Sequence, residues 1–413
     1  MISNDMLKLG RVRNAIREIF EFGRRRAAEV GAENLFDFSL GNPSVPPPSL
    51  LTQEMVRLLG ACDPFALHGY TSAPGANEVR DAIADNLNRR FGTSFTRRNL
   101  YVTCGAAAAL TSVLRALSID ADTEFIAIAP YFPEYACFAA TAGGRLVVVD
   151  ADMAHFQIDF AALEANINAH TQGVIINSPN NPSGVVYSEE TIRSLAALLA
   201  KKSAEVGHPI YLISDEPYRE LNYTGRPTPF VTNYYDASII SYSYSKSLSI
   251  PGDRIGYVLL GNDMPDFEDV YDAIAGGARV QGYVCAPSLL QRTIARAAEL
   301  DLMPDLSSYR KNRDALYEGL CAFGYRCMPP DGAFYLFLEA PGGDGDAFAE
   351  AAKSEDILIV PGRSFGCPSY VRRLLRGLRH HRPRPAGVRA ALSAVLQVSI
   401  ARHHTKSRGR WCR

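Results

Sequence analysis

Lys246 stands among small hydroxyl residues, in Ser241-Tyr242-Ser243-Tyr244-Ser245-Lys246-Ser247, directly after an apolar run. Desolvation and nearby cations lower the pKa of an amine held in such a place, leaving it nucleophilic enough to condense with an aldehyde. Arg254, eight residues on, offers a planar fork suited to a phosphate. On this stretch alone, a solvated Lys in a Ser-rich loop is an equally good reading. A second stretch, Tyr211-Leu212-Ile213-Ser214, is strand-like and ends on Asp215-Glu216-Pro217-Tyr218. Carboxylates at strand C-termini lie where open α/β sheets bind ligands, and one there can keep a pyridine-type nitrogen protonated. Tyr218 would reach a neighbouring phenolic oxygen, while capping of a following helix is the plainer role for Asp215. A third, Ile176-Asn177-Ser178-Pro179-Asn180-Asn181-Pro182-Ser183-Gly184, is a strand entering a turn, unremarkable by itself. A fourth, Cys104-Gly105-Ala106-Ala107-Ala108, joins a strand to a helix through small residues, so that free backbone N–H groups can meet a phosphate. Cys104 reads as packing there rather than as a nucleophile.

The elements that must position these residues follow from the hydrophobic pattern. Strands are expected at Leu100 to Thr103, Glu124 to Ala129, Leu146 to Val149, Val174 to Asn177, Ile210 to Ser214, Ile239 to Tyr242 and Ile255 to Leu260. Helical segments at Asn14 to Val30, Glu78 to Phe91 and Ala106 to Leu117 accompany them, and Gly41 to Pro48 breaks the first. Short buried runs of β-formers alternating with helices specify an α/β sheet covered on both faces. From Pro287 the pattern becomes that of a smaller α+β domain: one long helical segment (Ser288 to Asp314), strands at Ala333 to Leu338 and Ile357 to Val360, and a flexible loop at Gly342 to Asp346.

The chain has 413 residues, 47% of them hydrophobic, enough for one large core or two moderate ones. A formal net charge of −1 points to no nucleic-acid or membrane partner. That average hides twelve Lys or Arg and no acid from Tyr370 onward, against 31 basic and 44 acidic residues before it. The first twenty residues contain no apolar h-region, so no secretory leader is expected. The eight cysteines form no CxxC pair and no metal spacing, which fits reduced thiols of a cytoplasmic protein and no metal site.

Taken together and in order, N-N-P-S-G, then S-D-E-P-Y, then S-x-S-K with Arg eight residues later, the chain resembles fold-type I pyridoxal-phosphate enzymes, specifically class I/II aminotransferases of the aspartate and aromatic group. The resemblance covers roughly residues 10 to 372. It implies a large domain (46–287) with a mixed, mostly parallel seven-stranded sheet between helices, a small α+β domain (288–372), and an N-terminal arm (1–45) contributing to the latter. It implies pyridoxal 5′-phosphate on Lys246 as a Schiff base, with that lysine then shuttling a proton. Asp215 would pair with the pyridine nitrogen, and Tyr218 and Asn181 with its ring oxygen. Ser243, Arg254 and the backbone of Gly105, Ala106 and Ala107 would hold the phosphate. Phe132 would stack on the ring, with Tyr131 as the alternative one residue earlier. Tyr70 matches a tyrosine reaching the other subunit's phosphate, which implies a homodimer with shared sites. Gly41 and Asn42 match the segment that closes over substrate, and Arg372 the clamp for the α-carboxylate.

Side-chain recognition is less direct. Ala107 stands where one branch carries a Lys for the second carboxylate, whereas Arg279 lies within a residue of a partner-subunit Arg used by another. Aspartate and glutamate are thus the first expectation and aromatic amino acids the second; a structural ion pair is the plainer role for Arg279. After Arg372 the family expects a strand and an amphipathic closing helix, but Arg373-Leu374-Leu375-Arg376 opens a basic tail (373–413) instead. One GC-rich back-translation, shifted by a base, gives R-V-S-C-A-A-Y-D-T-I-A-R-A-L-P-A-F-A-R-L, so the tail reads as out of frame. A nucleic-acid-binding appendage is the weaker reading. The same cofactor apparatus also serves β-eliminating C–S lyases, and a non-catalytic pyridoxal-phosphate-binding regulator is the remaining alternative.

Overall fold

A computed structural model of the chain describes residues 2–11 and 15–375. The strands are β1 (Phe36–Asp37), β2 (Leu100–Thr103), β3 (Glu124–Ala129), β4 (Arg145–Asp150), β5 (Thr171–Asn177), β6 (Tyr211–Asp215), β7 (Ser238–Ser243), β8 (Gly256–Leu260), β9 (Tyr335–Glu339), β10 (Ile357–Leu358), β11 (Val360–Pro361) and β12 (Tyr370–Leu374). Seven form the main sheet in the order β2-β8-β7-β6-β5-β3-β4. Only β8 runs against its neighbours; the other pairs are parallel. β3, β5, β6, β7 and β8 are buried along their whole length, as a sheet covered on both faces by helices requires.

Register turns this sheet into a platform. Asn177 lies opposite Asp215, Asp215 opposite Ser241, and Ser243 opposite Gly256, which in turn faces Thr103. The chain therefore leaves β2, β5, β6 and β7 at one edge, immediately before or within each of the four motifs. The smaller unit packs β11-β12-β9 and the β1–β10 pair around Phe38, Leu316, Leu336, Leu338, Ile357 and Val371. Within the N-terminal segment β1 pairs with β10, while Ile16 and Ile19 pack against the core of the large unit.

Several elements differ from expectation. The long helix at 288–314 is two, Ser288–Glu299 and Ser307–Ala322, because Asp301 turns left-handed (φ 48°) and Pro304 cannot continue a helix. The first of them packs on the helices Asn77–Phe91 and Ser49–Ala61, so it sits with the large unit, although the sequence grouped it with the small one. The Gly342–Asp346 loop is short: Asp344 caps a helix, Gly345–Ser354, by accepting from the Ala347 N–H at 2.9 Å. The single strand expected at 357–360 is split into β10 and β11. Beyond Arg372, where the family pattern was read as broken, β12 continues through Arg373 and Leu374, paired with β9, and the Leu375 N–H bonds to the Phe334 carbonyl at 2.8 Å. The rest of the basic tail lies outside the described residues.

Candidate active site

The end of β7 delivers the lysine. Ser243 caps a single helical turn, Tyr244–Ser247, its hydroxyl accepting from the Ser245 N–H at 3.2 Å, and Lys246 rides on that turn. The ammonium donates to the Gly41 carbonyl at 2.6 Å. Burial, then the charges of Arg372 and Arg254, bring its pKa down to about 8. About a tenth of the amine is therefore free at pH 7, against well under a thousandth for an ordinary lysine.

Asp215, at the end of β6, is buried with one oxygen bound and one free. Oδ2 accepts from the Tyr135 hydroxyl at 2.6 Å, while Oδ1 has no partner. Burial pushes this carboxyl up to about 7, outweighing the Tyr135 bond; Glu216 adds to the rise. The Asn177 amide donates to the Asp215 carbonyl at 2.7 Å and accepts from the Asn181 N–H at 2.7 Å, tying the third motif to the second. Behind them, Glu216 and Arg219 form a buried ion pair at 2.5 Å, with the guanidinium over the Tyr242 ring at 4.5 Å. Asp215 caps no helix.

Between the strand ends lies a cavity of about 290 Å³. Its walls include Gly41, Ala106, Ala107, Phe132, Asn181, Asp215, Tyr218, Ser243, Lys246, Arg254 and Arg372. At one end Gly105 sits at φ 86°, beneath the Arg254 guanidinium; a Cβ there would stand 3.0 Å from Nη2. This glycine is required both for its backbone and for the approach of the cation. At the other end Arg372 is buried, Nη1 donating to Asn181 Oδ1 at 3.0 Å and Nη2 to the Ser39 carbonyl at 2.7 Å. Its Nε has no partner, and burial pulls its pKa down. Tyr218 shares a 2.7 Å hydrogen bond with the Tyr335 hydroxyl.

Three expected site residues are elsewhere. Asn42 is exposed and outside the wall that Gly41 helps to form; Arg279 is exposed; Tyr70 is 99% exposed. Of the two candidates for the ring-stacking aromatic, Phe132 is on the wall and Tyr131 is not. Cys104 is half-buried and its thiol is pushed up by burial, as packing would have it. Sequence reading missed Tyr135, Asn177 and Tyr335. Tyr135 follows Phe132 at helical spacing and Asn177 ends a strand beside Asp215, so both had a local signal. Tyr335 had none.

The cavity fits a phosphorylated pyridine aldehyde. An unpartnered, buried carboxylate oxygen needs a donor such as a protonated ring nitrogen, and a glycine cradle under Arg254 admits a phosphate. Residues 33–375 match the model of the family "Aminotransferase class I and II". The chain belongs to that family. Among relatives, the aspartate aminotransferase of Thermotoga maritima is 30% identical over 345 residues, 82% of this chain and 86% of that one. That of Bacillus subtilis is 31% identical over 323 residues, 73% of this chain and 78% of that one. A solved aminotransferase from Eubacterium rectale is 53% identical, with a TM-score of 0.92 over 97% of this chain and 99% of that one. The solved aspartate aminotransferase of T. maritima gives 26% and 0.81, over 95% and 98%. The chain is thus a pyridoxal-phosphate-dependent aminotransferase with the fold-type I architecture. No helix among the described residues is long and apolar enough to cross a membrane, and none of their side chains cluster as a metal site.

Proposed function

We propose that this aminotransferase exchanges the amino group of aspartate or glutamate with a 2-oxo acid, with Lys246 as its proton-transfer group. The observation that carries the reading is the meeting, in one cavity, of a lysine brought down to about 8 and the free Oδ1 of Asp215. Bound there, pyridoxal phosphate supplies an electron sink for bond breaking at the amino acid's α-carbon. Asp215 accepts the ring N–H at Oδ1, while Tyr135 holds its other oxygen in place. Asn181 and Tyr218 hold the ring oxygen, and Phe132 covers the ring face. Arg254, Ser243 and the N–H groups of Gly105, Ala106 and Ala107 take the phosphate. Lys246 Nζ, mostly uncharged above pH 8, would take the proton from the substrate α-carbon and deliver it, on the same side, to the carbon that the cofactor's aldehyde contributes. Arg372 grips the α-carboxylate bidentately in place of its present partners.

No cation lining the described cavity is left for a side-chain carboxylate once Arg254 and Arg372 are so used. That role falls to Arg279 of a second copy, which also brings Tyr70 to the phosphate. Phe65, Tyr70 and Val280 are 89%, 99% and 77% exposed, large apolar side chains that a second copy would cover, which supports a homodimer. The test is turnover of aspartate and of phenylalanine by wild type and Arg279→Ala. Aspartate KM should rise roughly tenfold or more while phenylalanine stays within about twofold. Equal effects on both would remove aspartate and leave the aromatic reading.

A further inference from the structure

Tyr335 carries none of the duties above, yet it touches three parts of the site. It opens β9, whose pairing places Phe337 opposite Arg372 and Tyr335 opposite Leu374, so Tyr335 and Arg372 are diagonal neighbours on one face. Its ring lies 4.6 Å under the Arg372 guanidinium, and the Phe365 ring lies 4.8 Å from the same cation. Its hydroxyl, 2.7 Å from that of Tyr218, also fills the space beside Gly41, where any Cβ would collide with it. Gly41 is the residue whose carbonyl takes the Lys246 ammonium. Burial raises both phenols, so each keeps its proton at neutral pH.

We propose that Tyr335 is a positioning residue that joins the α-carboxylate clamp at Arg372 to the hydroxyl of Tyr218. The ring fixes the plane of the guanidinium, and the hydroxyl donates to Tyr218 Oη, leaving the Tyr218 proton for the ring oxygen of the cofactor. The inference rests on the roles given to Arg372 and Tyr218 above.

Two variants separate the two links. Tyr335→Phe keeps the ring and removes the donor, and Tyr335→Leu removes both. In the holoenzyme, the pH midpoint of the bound cofactor's visible band should rise by about half a unit or more in Tyr335→Phe, since an oxyanion loses part of its donor. Propionate, a monocarboxylate that reads Arg372 without a side-chain site, should bind Tyr335→Phe within about twofold of wild type and Tyr335→Leu roughly three- to tenfold more weakly. Both variants should melt within a few degrees of wild type. A midpoint unchanged in Tyr335→Phe, or propionate binding unchanged in Tyr335→Leu, overturns the proposal; loss of either only in proportion to melting reduces Tyr335 to packing. Wild type failing to bind propionate at all would instead strike the role of Arg372.

Discussion

The two ends of the cavity are built differently. The end for the cofactor is assembled from the termini of adjacent strands of one buried sheet: Asn177, Asp215 and Ser243 are fixed by register, and Lys246 follows within a single turn. The end proposed for the substrate is assembled from segments far apart in sequence, as the Arg372 bonds to Ser39 and Asn181 illustrate across 333 and 191 positions of chain. A sheet edge gives rigid spacing to residues that are also neighbours in local motifs. A domain junction gives contacts that belong to no local motif.

Four substitutions sharpen or break that contrast. Lys246→Ala should lower turnover by about 10³-fold or more in steady-state assays with the fold intact, because nothing else on the wall can exchange the α-proton; modest loss would break the account of the cofactor end. Asp215 should make the cofactor-free protein sensitive to pH. Its carboxyl titrates near 4 when unfolded and at about 7 when folded, so between these values the folded state holds a proton that the unfolded state has lost. Stability should therefore fall as pH rises from 4 to 7, by about 2–4 kcal/mol in denaturant titrations, and Asp215→Asn should flatten the slope. Arg372→Leu should raise the KM of every amino acid by about 10- to 100-fold, the worth of a charge-assisted pair, without shifting the cofactor's absorbance. Arg373→Val should stabilise the small unit by about 1 kcal/mol in chemical denaturation. Arg373 is half-buried over the Phe38 ring at 3.9 Å, its Nε has no partner, and burial brings it down to about 10. It stands where the frame-shifted reading has Val, and an unpartnered buried N–H costs stability.

Much of the cofactor end was legible because its runs, ambiguous singly, declare themselves in combination: a carboxylate after Tyr211–Ser214, a lysine after Ile239–Tyr242, small residues before Ala106. Tyr135 was overlooked although it follows Phe132 at helical spacing, because that spacing does not say which strand end its hydroxyl meets. Tyr335 was beyond reach, because its partners Tyr218 and Gly41 are distant in sequence and meet only through β9 and β12. The break in the long helix at 300–306 was legible in Pro304 and was passed over for the apolar period on either side. The helix at 345–354 was hidden by the glycines before it, whose turn precedes the Asp344 cap.

The central claim is that Lys246 is the amine that carries the cofactor. Borohydride reduction of the protein reconstituted with pyridoxal phosphate, followed by peptide mass mapping, tests it directly. One reduced adduct is expected, on the peptide containing Lys246, and none in Lys246→Ala. An adduct on another lysine, or an unlabelled Lys246 peptide in protein that binds the cofactor, would contradict it.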